Sequence, residues 1–243
     1  MKKAIGYVYV IAAAVCWGFL GLFNRVLTAA GVSLLNMMPL RFGGTAILFT
    51  VFCVMFKQQV FHIKLRHLPI FLGSGLISML LVLCGCALVS GIVGSDVGIS
   101  LEGLLMGLAS ELCYGGYTIF THYGMRYCDS FTMAYWTFLI AGIASLFLAD
   151  GPALLSALAE PRTGLAALGL MVMGTALPFT LYTKGLETVE SGKAAIIANI
   201  EPVMSAVIGV TVFQETLGLW ALFGIVLVLS GVVVLACEKE PDK

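Results

Sequence analysis

The chain has 243 residues, of which 60% are apolar and only 11% are Asp, Glu, Lys or Arg, with a mean hydropathy of +1.04 and no formal net charge. Water-soluble domains are typically about 45–50% apolar and about 25% charged, so this composition excludes that class and predicts a protein dissolved in the lipid bilayer. The lack of a basic excess argues against nucleic acid as a partner, because phosphate binding needs positive charge.

The first predicted element is a membrane-spanning helix. Lys2 and Lys3 precede an apolar run from Gly6 to Leu27, and about 20 residues are enough to cross a bilayer. A cleavable signal peptide begins in a similar way, but no small-x-small site followed by soluble sequence comes after this run. We therefore expect the run to remain as a transmembrane helix.

Further apolar stretches follow along the chain. The predicted spans are eight in all, at 6–27, 34–56, 68–91, 101–123, 131–149, 164–185, 192–213 and 217–237. With an even number of spans both termini share one side of the membrane, and most Lys and Arg residues of the connecting segments lie on that side. The positive-inside rule then predicts a multi-pass plasma-membrane protein with cytoplasmic N- and C-termini.

The second half of the chain repeats the first. Three ordered matches show this, at offsets of 97, 94 and 146 residues: 16–23 with 113–120, 75–79 with 169–173, and 82–85 with 228–231. The last offset exceeds the second by 52 residues, so the first half lacks a block that corresponds to about 174–225. Chance similarity between apolar stretches is the alternative, which the order and hydropathy context of the matches disfavour.

The gap defines two unequal units. We predict a shortened first repeat at 1–91, with about three helices, and a complete second repeat at 101–237, with five. In the first repeat three helices of the parent would have merged into the single span 68–91, which removes two crossings and keeps the later topology. Internal duplication in an apolar chain is typical of secondary transporters.

Glu201 is the sharpest candidate for a functional side chain. Polar groups inside a bilayer cost several kcal/mol unless paired, and Glu201 lies about ten residues into the seventh span. Pro202 follows it, removes a backbone donor and frees the carbonyl of Ala198. A transporter binds a cationic group or a proton at a carboxylate beside such an interrupted helix. The alternative is a protonated Glu201 that hydrogen-bonds to a neighbouring helix.

The fourth span carries a second group of polar candidates. Glu111 lies deep in it, and Tyr114, Tyr117 and Thr118 follow at i+3, i+6 and i+7, so that one helix face is polar and aromatic. That face either lines a cavity and receives an organic substrate or forms a polar seam that holds helices together.

Other spans contain a further proline and an arginine. Pro178, in the same span as Tyr182, frees the carbonyl of Gly174 and is a second candidate helix break, with a kink that serves packing as the plainer interpretation. Arg41 lies about seven residues into the second span, where an arginine usually pairs with a carboxylate or snorkels outward. No catalytic, phosphate-binding or metal-ligand motif occurs in the sequence, so we expect no enzyme activity, no cofactor and no metal.

Three stretches together resemble one transporter family. They are 12–18 followed by Asn24-Arg25 and Leu40-Arg41-Phe42; the start of the fourth span at 104–121; and 194–217, which contains Pro202 and the turn Gln214-Glu215. They resemble the EamA-like branch of the drug/metabolite transporter superfamily. The resemblance implies an all-α fold of five plus five helices in inverted repeat, of which this chain would keep about eight. It also implies gradient-driven export of a small organic metabolite, amino-acid-like or drug-like, by alternating access, with Trp17, Asn24 and Arg41 facing the centre.

The gap leaves the activity open. Glu201 and Pro202 have no counterpart in the first repeat, so one wall of the expected cavity is missing. Either the cavity opens to lipid or a second copy of the chain fills the space, as a homodimer. The alternative function is a shortened, transport-inactive membrane protein that acts only as a helix-packing partner.

Overall fold

The structure is a computed structural model that describes residues 2–89 and 101–237. These residues form helices and connecting segments, with no β-strand among them. The α-helices are α1 Lys2–Gly18, α2 Leu20–Ala29, α3 Leu34–Met38, α4 Gly44–Phe56, α5 Leu68–Val89, α6 Leu101–Gly124, α7 Ser130–Ser145, α8 Gly151–Leu158, α9 Pro161–Met171, α10 Leu177–Gly185, α11 Ser191–Ala198, α12 Ile200–Phe213 and α13 Leu219–Cys237. Short π-helices, Pro39–Gly43 and Val172–Ala176, join α3 to α4 and α9 to α10.

Consecutive helices join into apolar rods that follow the predicted spans. Five rods within the described ranges are long and apolar enough to cross a membrane: Ala4–Ala29, Leu35–Phe56, Ser130–Leu148, Pro161–Gly185 and Ser191–Phe213. The expectation of an all-α membrane protein is thereby confirmed. Helices α5, α6 and α13 have 22, 24 and 19 residues, enough to cross at about 1.5 Å per residue, and their crossing stays a prediction.

Two features of the connections add to the sequence prediction. The merged third span is one continuous helix, α5, as the proposed gap requires, although the gap itself stays a prediction. The end of that span, 90–91, lies outside the described residues. The short helix α8 was not predicted; Asp150 caps it by accepting a hydrogen bond from the Ala153 amide at 3.3 Å, and Pro152 occupies its first turn.

Glycines allow α1 to approach its neighbours closely. A Cβ atom added at Gly18 would lie 2.4 Å from the Cβ of Met204 on α12, and one added at Gly185 would lie 3.0 Å from the carbonyl oxygen of Gly6. In a bilayer no hydrophobic effect drives helices together, so such small residues bring the backbones into van der Waals contact. The first rod is therefore held against both α10 and α12.

The π-helix around Arg41 packs against α7. A Cβ atom at Gly142 would lie 3.0 Å from the Cα of Gly43, and the rings of Phe42 and Phe138 stack at 5.9 Å. Backbone and ring contacts thus fix the segment that carries Arg41.

The turn after α12 pairs with the end of the first rod. Arg25 contacts the carboxylate of Glu215 at 2.5 Å and stacks on Phe213 at 4.5 Å. Gln214 between them adopts the left-handed conformation, with φ of 57°, and the Glu215 amide donates to the Gly209 carbonyl at 3.1 Å. The left-handed residue ends the helix, a role that glycine fills most readily.

Candidate functional site

Six aromatic rings meet where α1, α6, α7 and α10 come together, and we call them the aromatic cluster. The cluster consists of Trp17, Tyr114, Tyr117, Phe138, Phe179 and Tyr182. The Trp17 ring lies 5.0 Å from Phe179 and 5.3 Å from Tyr182, while Phe179 also contacts Tyr117 at 5.5 Å and Phe138 at 4.9 Å. Most of these contacts are edge-on, the arrangement that aromatic quadrupoles favour.

The cluster combines side chains that the sequence predicted with two that it did not. Trp17, Tyr114, Tyr117 and Tyr182 are in contact through rings, as a shared cavity wall would require. Phe179 is the hub, and its position three residues before Tyr182, on the same face of α10, is the signal that could have revealed it. Phe138 lies in an apolar span, and no proline or charged residue beside it singles it out.

Thr118 sets the direction of one hydrogen bond at the cluster. Its hydroxyl donates to the Tyr114 carbonyl at 3.0 Å and contacts the Tyr182 hydroxyl at 3.2 Å. Because a threonine hydroxyl has a single hydrogen, the Tyr182 hydroxyl must be the donor in the second contact.

Trp17 presents an unused donor at the same place. Its side chain is only 3% exposed, and its Nε1 atom is buried with no hydrogen-bond partner among the described residues. An unpaired buried donor costs about 1–3 kcal/mol, so a substrate that accepts a hydrogen bond from this nitrogen would remove that cost.

Four rods are each interrupted beside one of the candidates, whereas α6, which carries Tyr114, Tyr117 and Thr118, is continuous. The interruptions lie at Phe19 after Trp17, at Pro39–Gly43 around Arg41, at Val172–Ala176 before Pro178, and at Asn199 before Glu201. Breaks and π-segments leave backbone N–H and C=O groups outside the regular hydrogen-bond pattern of the α-helix. Membrane proteins tolerate such groups only inside protein or along a water-filled cavity. Their convergence is the geometry that transporters use for binding.

Two charged residues border the rings. The Arg41 guanidinium lies 6.0 Å from the Phe179 ring, and its side chain is half-buried. Glu201 is half-buried in the first turn of α12, within electrostatic range of the Tyr114 hydroxyl. The next residue, Pro202, is exposed.

The remaining predicted residues are placed less centrally. Asn24 is half-buried on α2, seven residues and thus about 10 Å along the rod from Trp17. Glu111 lies on α6, one turn before Tyr114, but its side chain falls outside the described part of the structure. Pro178 occupies the first turn of α10, directly before Phe179.

Comparison with known proteins gives consistent matches. Residues 101–237 match the EamA-like transporter family. An uncharacterized transporter of Archaeoglobus fulgidus is 41% identical over 68 residues, which are 28% of this chain and 25% of that protein. The uncharacterized transporter YwfM of Bacillus subtilis is 26% identical over 174 residues, covering 70% of this chain and 57% of the relative. The multidrug resistance protein EbrB of Bacillus atrophaeus is 33% identical over 87 residues, which are 35% of this chain and 74% of that protein. The chain thus spans about a quarter of the length of the Archaeoglobus relative and just over half of the length of YwfM.

Proposed function

Because the chain belongs to the EamA-like transporter family, we propose that it exports small organic metabolites, amino-acid-like or drug-like, by alternating access across the plasma membrane. Both termini would be cytoplasmic, as the placement of Lys and Arg favours. The observation that supports this function most is the aromatic cluster, because two of the rods that carry its rings, Ala4–Ala29 and Pro161–Gly185, are interrupted next to it. Such a site offers flat apolar faces together with polar groups that the helices leave unused.

The charges beside the cluster suggest which substrates it accepts. Arg41 could hold a substrate carboxylate, and Glu201 could hold an ammonium group, so the pair suits an amino-acid-like zwitterion. A substrate that contacts the rings and Glu201 but not Arg41 would be an organic cation, which aromatic faces attract by about 0.5–2 kcal/mol. The name of the relative EbrB, a multidrug resistance protein, favours the drug-like class, whereas Arg41 favours the zwitterion.

A transport-inactive packing protein is the second candidate, and one observation favours it. The rings of Tyr117 and Tyr182 are 1% and 0% exposed, so they fill the space that a substrate would occupy. A chain that only packs against partners would keep this core closed permanently. A transporter would open it when the rods bend at their interruptions, and a second copy of the chain would close the wall that the gap removes.

Export can be tested by metabolite analysis of spent medium. Cells would express the unaltered chain, Glu201→Gln, or Glu190→Gln, a matched control because Glu190 is an exposed carboxylate just before α11. We expect a metabolite to accumulate with the unaltered chain and the control, and to fall towards the empty-vector level with Glu201→Gln. Equal profiles for all strains, with each protein confirmed in the membrane, would refute export and favour the packing protein.

A further inference from the structure

A cavity of about 700 Å³ lies apart from the aromatic cluster, among the connections at one end of the rods. Two separate segments line it: 57–71, which links α4 to the start of α5, and 126–132, which links α6 to α7. By the positive-inside rule this end faces the cytoplasm. The cavity contains none of the residues assigned to the aromatic cluster.

Positive charge dominates its walls. Four basic side chains, Lys57, Lys64, Arg66 and Arg126, line the cavity together with one carboxylate, Asp129. The Lys57 ammonium contacts that carboxylate at 2.5 Å, so the pair is neutral. Within residues 2–89 and 101–237 no carboxylate forms an ion pair with any of the other three cations.

The cavity also has an unused polar atom. His67 lines it and stacks on the Tyr127 ring at 4.4 Å, which fixes the imidazole plane. The Nε2 atom of His67 is buried, with no hydrogen-bond partner in the described part of the chain. Arg126 lies 5.4 Å over the Tyr123 ring, a contact that leaves its guanidinium hydrogens available. Three cations without a carboxylate partner among the described residues and this nitrogen together provide charge and hydrogen-bonding capacity for a ligand.

Membrane topology alone does not require this arrangement. Other basic residues at the same end are placed differently: Lys184 pairs with Glu187 at 2.7 Å, and Lys193 is not among the residues that line the cavity. The positive-inside rule asks only for charge on one side of the membrane. It does not explain why cations from two connections face one concave space.

We propose that this cavity binds a phosphate or phosphodiester group. Arginine suits such a group because its planar guanidinium donates two parallel hydrogen bonds to phosphate oxygens. The group could belong to an anionic lipid headgroup at the membrane surface or to a free phosphorylated compound, and both share this chemistry. The site is independent of the proposed transport function, since it uses none of the same residues.

Calorimetric titration of the purified full-length chain in neutral detergent would test the proposal. The probes are inorganic phosphate, dihexanoyl phosphatidylglycerol and, as the zwitterionic control, dihexanoyl phosphatidylcholine. We expect saturable binding of at least one anionic probe and weaker binding at higher salt. In Arg66→Gln/Arg126→Gln the apparent dissociation constant should rise roughly 25-fold, at about fivefold per cation. Lys193→Gln should leave it unchanged.

The outcomes separate the two sources and can overturn the proposal. Binding of phosphatidylglycerol but not phosphate would assign the site to a lipid headgroup, whereas binding of both would show that phosphate alone suffices. No saturable binding of either probe, or equal affinity in the double variant, would refute the site. If that variant fails to fold, Lys64→Gln/Arg66→Gln provides the same test, because both side chains are exposed on the loop.

Discussion

Replacing Gly18 with alanine should destabilise the contact between α1 and α12. The new Cβ would lie 2.4 Å from the Cβ of Met204 and 3.2 Å from the Ser205 backbone nitrogen. Ordinary contacts between carbon atoms need about 3.5–4.0 Å, so the helices must separate by about 1 Å. Overpacking of this kind costs about 1–3 kcal/mol, and alanine recovers at most about 1 kcal/mol of helix propensity. We therefore expect a net loss of up to about 2 kcal/mol in the free energy of unfolding.

Thermal unfolding in detergent would measure the loss, with Gly224→Ala as the control. Gly224 lies in α13, and a Cβ atom there would meet nothing within 4 Å. Its replacement should be neutral or stabilising by up to about 1 kcal/mol, since only helix propensity changes. If Gly18→Ala unfolds at the same temperature as Gly224→Ala, the close approach of the two backbones does not hold α1 in place.

Three further predictions concern separate parts of the chain. In a variant without other cysteines, Glu201→Cys should react with a polar thiol reagent if position 201 lies on an aqueous path, and lack of reaction in folded protein would support the packing protein. Gln214→Gly should raise the thermal midpoint, by about 1 kcal/mol of stability, since Gln214 is left-handed at φ of 57°; a lower midpoint would contradict this. Partial burial raises the pKa of Asp129, but hydrogen bonds from Lys57 and Thr132 outweigh it and hold that pKa below its usual range. The stability from the ion pair is therefore complete above the unfolded pKa of about 3.9 and is lost as the pH falls through the lower folded value. Lys57→Gln should accordingly be less stable by at most about 1 kcal/mol at neutral pH and equal to the unaltered chain in strong acid; a pH-independent difference would refute the assignment.

The apolar runs of the sequence were enough to predict the rods. Span lengths near 20 residues follow from the bilayer thickness, which acts on each helix separately. The spacing of the repeat matches predicted a single span at 68–91, and α5 is one continuous helix there as far as Val89. Tyr114, Tyr117 and Thr118 could be grouped because helical periodicity places them on one face without knowledge of any neighbour.

Features that depend on contacts between rods could not be predicted in this way. Phe179 is central only because α1, α6 and α7 all direct rings towards it. Each π-helix, Pro39–Gly43 and Val172–Ala176, places an extra residue in a helical turn and so rotates the side chains of the following helix. A proline in or near the segment is the only sequence signal for either one. The basic cavity joins two connections that lie about 60 residues apart, and no pattern along the chain relates them.

The break at Phe19 divides the first rod into two parts that pack against different helices. Helix α1 is held by glycine contacts to α10 and α12. Helix α2 packs on α9, where Leu27 is fully buried, and it also reaches the turn after α12 through the half-exposed ion pair of Arg25 and Glu215. An ion pair in such a setting contributes about 0–1 kcal/mol, which is comparable to thermal energy. Buried packing against α9, and not this ion pair, therefore keeps α2 in place, so loss of the Arg25–Glu215 pair alone should leave the second half of the rod where it is.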